Sequence, residues 1–292
     1  MKNKNLNKLV TEALAIEARD AKEAGALGFM ARALVQATMP HKKTDGPVFR
    51  RENGLFRLSI LSDPEIGLPY GVIPRLLIAW ITTEAVRTKQ RVLVLGNTLS
   101  QFMEQLDLMP TGGRWGSITR LREQMKRLFS ASVSCTYDSE QHWAIKNVQP
   151  IYEANLWWHP KMHHQASLFQ STLTLGEDFF REIINHPIPI DMDALKSLKK
   201  SPMSLDIYCW LTYRMSYLNK KTSIPWKALQ PQFGADYERT RDFKRYFLNQ
   251  LHSVCIVYPE ANLEANETGL ILKPSKPHIS SLTPQPVHNP VN

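Results

Sequence analysis

Cysteine is scarce in this chain. Only Cys135, Cys209 and Cys255 occur in 292 residues, and no two form a C-x-x-C pair. An odd, scattered set argues against a disulfide framework or a zinc finger and points to reduced thiols packed as small apolar groups. Long hydrophobic runs are also missing: none approaches the ~20 residues that a spanning helix needs. The opening stretch MKNKNLNKLVTEALAIEARD has no apolar core followed by a small-residue cleavage site. No secretory signal is therefore expected, and the cytoplasm is the expected compartment.

Catalytic signatures are equally thin. There is no G-x-x-x-x-G-K-[ST] to cradle a nucleoside triphosphate. A rolling-circle nicking enzyme needs two histidines bracketing an apolar residue, and Met162-His163-His164 does not supply that spacing. His159 lies four residues before His163, but Pro160 breaks the register and no acidic or cysteine ligand joins them. Tyr208, Tyr213 and Tyr217 recur on an apolar helix as packing residues do. Glu260, Glu264 and Glu267 fall in a polar turn, with no second carboxylate site for metal-assisted hydrolysis. The expectation is a protein that is not an enzyme and holds no metal or cofactor.

Acidic residues are outnumbered, 27 against 36 Lys and Arg, for a formal charge of +9. That excess favours a polyanionic partner, nucleic acid or an anionic membrane surface. It gathers in residues 112–130, GGRWGSITRLREQMKRLFS. Leu121, Met125, Leu128 and Phe129 recur at helical spacing and share one buried face. Arg120 and Arg127 flank that face, and Arg122 and Lys126 form a second basic ridge. A short helix signal, TLSQFMEQLDL, precedes it, with Thr98 as its cap, and Pro110 and Gly112-Gly113 turn the chain between the two. Two helices across a short glycine turn, the second one basic, is a helix-turn-helix layout.

The rest of the chain frames this unit. Residues 6–37 read as a helix weakened at Gly25 and Gly28. Glu52-Asn53-Gly54 between two β-rich runs marks a hairpin. A mostly apolar helix covers residues 73–88, and RVLVLG is a short strand. After the basic helix, SVSCTY and HWAIKNV alternate at period two, as the two strands of a wing would. The order then recurs: an apolar helix at 201–218 with Trp210 in the place of Trp80, a short extended stretch, WKALQPQFG, and a basic helix YERTRDFKRYFLNQL capped by Asp236. VCIVY and GLILKP are expected as a second wing. The first copy carries an eight-residue excess at DLMPTGGR.

The expected fold is α+β, mainly helical, with two tandem winged-helix domains. Residues 1–45 form a helical arm, 46–152 the first domain, 153–170 a connector, 171–278 the second domain, and 279–292 a disordered proline-rich tail. One basic helix alone is usually only a solvated face. Two in the same context point to double-stranded DNA, because a helix fits the major groove and Lys and Arg neutralise phosphates. Arg122, Lys126, Arg241 and Arg245 are expected to face the groove. Arg114 and Lys146 are expected on phosphates, with Ser117, Thr119, Arg120, Arg127, Arg239, Thr240 and Lys244 completing the contact set.

The runs AGALGFMARALVQATMPH, NGLFRLSILS, LPYGVIPRLLIAWITTEAVRT, PTGGRWGSITRLREQMKRLFS and LDIYCWLTYRMSYL…IPW…FGADYERTRDFKRYFL resemble the RepA-type plasmid replication initiators of Gram-negative bacteria. The likeness spans roughly residues 11–278. It implies tandem winged-helix domains on directly repeated DNA at a plasmid origin. It further implies origin opening, recruitment of host initiator and helicase proteins, a homodimer in equilibrium with monomer, and repression of the initiator's own promoter. A winged-helix transcriptional repressor without a replication role is the competing reading.

Overall fold

The computed structural model describes residues 9–10, 12, 26–158, 162–166, 169–234 and 237–279. Most of the expected N-terminal helix, the Asp236 cap, His159 and residues 280–292 of the expected tail lie outside the described residues. The chain divides into two compact units. One is Phe29–Pro187, and the other holds the described residues on either side of it.

Among the described residues there are nine helices and twelve strands in four sheets, a mixed α/β protein rather than a mainly helical one. In the first unit the central element is α2 (Val72–Thr88), after β1 (Leu27–Ala31) from Phe29 onward, α1 (Arg32–Gln36), β2 (Val48–Asn53) and β3 (Phe56–Leu61). Leu76, Leu77, Ile78, Ala79 and Ile81 of α2 are all buried, so this helix is apolar on every side. Arg75 is buried with them; its guanidinium donates to the carbonyls of Met39, Pro40 and Gly71 at 2.7, 3.1 and 2.6 Å.

After α2 come β4 (Val92–Val94), α3 (Leu99–Gln105), α4 (Ser117–Phe129), β5 (Ser132–Asp138), β6 (Trp143–Val148), β7 (Ile151–Asn155), β8 (Thr172–Leu175) and α5 (Glu177–Asn185), of which β4, α4 and α5 pack against it. One antiparallel sheet runs β4-β8-β7, with Leu93 opposite Leu173. Another runs β2-β3-β5-β6. The Asn-Gly hairpin forms as expected, and Gly54 opens its turn at φ +58°, which glycine adopts without strain.

The second unit holds β9 (Pro187–Asp191) from Ile188 onward, then α6 (Met192–Ser197), α7 (Pro202–Tyr217), β10 (Thr222–Pro225), α8 (Trp226–Phe233), α9 (Thr240–Val257), β11 (Leu263–Ala265) and β12 (Gly269–Leu272). Its sheet runs β10-β12-β11. Ser201 caps α7, its hydroxyl accepting from the Ser204 N–H at 3.3 Å. Pro231 lies inside α8, which ends two residues later at Phe233.

Within each unit the order helix, strand, helix, helix and hairpin recurs, and each three-stranded sheet places its last strand in the middle. In the first unit that final hairpin is β7–β8. The expected wing strands SVSCTY and HWAIKNV form β5 and β6, but they extend the β2–β3 hairpin into the separate four-stranded sheet. Residues 153–170, expected as a connector, run from inside β7 to just before β8, and β8 and α5 belong to the first unit.

Two further expectations differ from the structure. Residues 27–31 form a strand, not a helix, and the Phe29 N–H donates to the Thr83 hydroxyl at 2.8 Å. VCIVY does not open a hairpin: Val254 and Val257 continue the buried stripe of α9 beyond Leu251, and Pro259 is the first breaker. Burial of one continuous face outweighs the modest helix propensity of valine and isoleucine.

Candidate nucleic-acid interface

The turn between α3 and α4 is built residue by residue. Thr98 caps α3, its hydroxyl accepting from the Gln101 N–H at 3.1 Å. Beyond α3, the Ser117 hydroxyl donates to the Met109 carbonyl at 2.5 Å and accepts from the Thr111 N–H at 2.9 Å. The Ser117 N–H donates to the Thr111 hydroxyl at 2.9 Å, and the Thr119 hydroxyl donates to the Gly113 carbonyl at 2.9 Å. Gly113 sits at φ +86°, and a Cβ on Gly116 would lie 2.2 Å from the Thr111 carbonyl oxygen. The loop thus closes on itself, and only glycine fits at 116.

From this loop α4 projects with one face inward. Ile118, Leu121, Gln124, Met125 and Leu128 are buried, while Phe129 is half-buried. Gln124 is a polar residue in that face, and its Oε1 accepts from the Tyr70 N–H at 2.9 Å. Arg120, Arg122 and Lys126 are exposed, and their side chains meet no acidic partner among the described residues. Arg127 behaves differently. Its guanidinium donates to the Leu68 carbonyl at 3.3 Å, lies 5.5 Å from the Tyr70 ring centroid, and fills the space a side chain at Gly67 would need. It fastens the 67–70 loop to α4.

Lys146 on β6 is exposed, yet its Nζ lies 3.3 Å from Glu182 of α5, which also accepts from Arg32 of α1 at 2.8 Å. Partial burial of Glu182 opposes its ionisation, but Arg32 and Lys146 together hold its carboxyl below the usual range. Cys135, on the neighbouring β5, is buried enough that its thiol is pushed up to about 11.

The second basic helix, α9, buries Phe243, Phe247, Leu251, Val254 and Val257. Arg239, at its N-cap position, and Arg241 are exposed without a partner among the described residues. Arg245 is exposed and, among the described residues, reaches only Asp242, at 3.4 Å. Lys244 is half-buried, its Nζ 5.4 Å from the Trp226 ring centroid. Thr240 donates to Gln230 at 2.7 Å and ties the start of α9 to α8. At 100° per residue, Asn249 and His252 share the outward face of Arg241 and Arg245. Neither is among the contact residues expected from sequence, because no charge pattern marks a neutral Asn or His on that face.

The thirteen expected contact residues therefore divide. Arg114, Arg120, Arg122, Lys126, Arg239, Arg241 and Arg245 present charge outward. Ser117, Thr119, Arg127, Lys146, Thr240 and Lys244 are engaged in holding the protein's own loops, helices and strands. Around the histidines, the Ser100 hydroxyl and His163 Nδ1 are 2.7 Å apart, and no group of three or more metal-ligating side chains forms among the described residues. No described helix is long and apolar enough to cross a membrane.

A two-helix turn with an outward basic second helix, followed by a hairpin, is a layout found in nucleic-acid-binding modules. The family model for plasmid encoded RepA protein matches residues 68–227, more than half of the chain. The chain belongs to this family of plasmid replication initiators. The match contains α4 and ends before α9.

Among solved structures, a crystal structure of domains 2 and 3 of RctB is similar at a TM-score of 0.55 and 10% identity, covering 85% of this chain and 99% of that one. This is a likeness of fold. A second crystal structure of RctB domains 2–3 aligns with a TM-score of 0.48 and 10% identity, over 82% of this chain and 96% of that one. A search of curated proteins finds no match.

Proposed function

We infer that this family member starts plasmid replication by binding directly repeated sites in double-stranded origin DNA through two winged-helix modules. In this reading α4 and α9 enter the major groove, and β7–β8 and β11–β12 are the wings. Arg122, Lys126, Arg241 and Arg245 face base edges, while Arg114, Arg120 and Arg239 contact phosphate. The observation that carries the reading is the repetition of one layout with arginines turned outward on the same helix of each copy.

Two unlike modules in one chain suit direct repeats better than a palindrome, which mirrors a two-fold dimer. The protein acts without catalysis, in the cytoplasm. It promotes opening of the origin, recruits host initiator and helicase proteins, exchanges between monomer and homodimer, and represses its own promoter. Footprinting of the DNA flanking the gene tests the core of this reading, with protection expected at regularly spaced repeats. A repressor with the same modules gives protection too, so the gene and its origin are also placed on a plasmid that cannot otherwise replicate. Maintenance supports initiation, and its failure leaves the repressor reading.

A further inference from the structure

The eight-residue excess of the first copy builds the loop at 109–117, and that loop displays apolar surface. Trp115 is 80% exposed and Met109 is 81% exposed. A lone exposed apolar residue on a mobile loop needs no explanation. This loop is different, because its ends are tied by Ser117, Thr111 and Thr119 and its path is fixed by Gly113 and Gly116. Holding an aromatic ring open on a braced loop lowers the entropy lost when a partner meets it.

The charges around the ring state what that partner is. Between Asp107 and Glu123 the chain contains no acidic residue and three arginines, Arg114, Arg120 and Arg122. The Arg114 guanidinium lies 5.1 Å from the Trp115 ring centroid. An aromatic face beside a cation suits a flat, electron-rich group attached to a polyanion, which is a nucleobase in DNA. The second copy lacks this device. There the aromatic before the basic helix, Tyr237, packs against Phe243 and Tyr246 at 6.0 and 5.8 Å.

We propose that Trp115 is a stacking wedge: it packs on a nucleobase displaced from the base stack beside the segment read by α4, with Arg114 on the adjoining phosphate. The proposal rests on the DNA-binding reading and adds to it a preference for an unstacked base. An apolar side chain pressed into a duplex partly unstacks the step it enters and binds best where that step is already open.

The test compares two fluorescent duplexes of the same sequence, one fully paired and one with a single unpaired thymine, in anisotropy titrations with the full chain. Wild-type protein is expected to favour the unpaired-thymine duplex by about ten-fold or more. Trp115→Ala should erase that preference with little change on the paired duplex, and Trp115→Phe should keep most of it. Thermal unfolding of Trp115→Ala should match wild type, since the ring is exposed. Wild-type protein without a preference, or Trp115→Ala retaining one, overturns the wedge and leaves DNA binding standing. Binding to neither duplex overturns the DNA-binding reading and the wedge together.

Discussion

Trp210 packs edge-on against Phe233, ring centroids 5.4 Å apart, as Trp80 packs against Phe102 at 5.1 Å. In each unit the tryptophan of the central helix seats the short helix that precedes the basic one. Phe102 and Phe233 are both fully buried. Replacing either by alanine is expected to cost about 3–5 kcal/mol in its own unit. Chemical denaturation of each variant checks this, and a change below about 1 kcal/mol would mean the aromatic pair does not anchor the helix.

Arg127 and Arg122 should separate in a binding experiment although both are arginines on α4. Arg122→Ala is expected to weaken DNA binding by about 1–3 kcal/mol at unchanged stability, and to relax sequence preference if it reads a base. Arg127→Ala should lower the unfolding midpoint, because it frees the 67–70 loop. Denaturation and titration on specific and non-specific duplexes give both quantities.

Gly116→Ala should disrupt the loop before α4. The added methyl would meet the Thr111 and Gly112 carbonyl oxygens at 2.2 and 2.3 Å, and backbone cannot yield as a flexible side chain does. A loss of about 1–3 kcal/mol in stability is expected. Gly112→Ala meets open space and serves as the control.

Glu182 sets an acid dependence. Its folded-state carboxyl is held below the ordinary range by Arg32 and Lys146 in spite of burial, so the unfolded chain binds the proton more readily. The stabilisation is therefore complete above the unfolded carboxylate value of about 4.3 and is lost as pH falls through the lower folded value. Glu182→Gln should be less stable than wild type at neutral pH, with the gap narrowing in acid. Unfolding midpoints measured down the acid limb decide this, and a gap that stays constant contradicts it.

How much of this was legible beforehand depends on the kind of signal. Leu121, Met125 and Leu128 state their buried face directly through periodicity, and Thr98 states its cap. The matching of Trp80 with Trp210 exposed the repeat because large aromatics are costly to move in a packed core. Strand pairing was less legible. SVSCTY alternates whether it pairs with HWAIKNV alone or also with β3, so the pattern could not reveal the four-stranded sheet. VCIVY reads as β-rich locally, and only its continuity with Phe247 and Leu251 on one helix face determines its state. Among the expected contacts, residue type gave no means of distinguishing Arg122, which points outward, from Arg127, which bonds to Leu68, because that depends on where the 67–70 loop passes.

The central claim is that outward arginines on both α4 and α9 engage one DNA site. Titration of wild type, Arg122→Ala, Arg241→Ala and the double variant against footprinted origin DNA over a range of salt tests it most directly. Each single change is expected to weaken specific binding, the double change to weaken it by the sum, and wild-type log K to fall by about 0.9 per neutralised phosphate for each unit of log salt. Unchanged affinity in either single variant, or wild-type binding indifferent to salt, contradicts it.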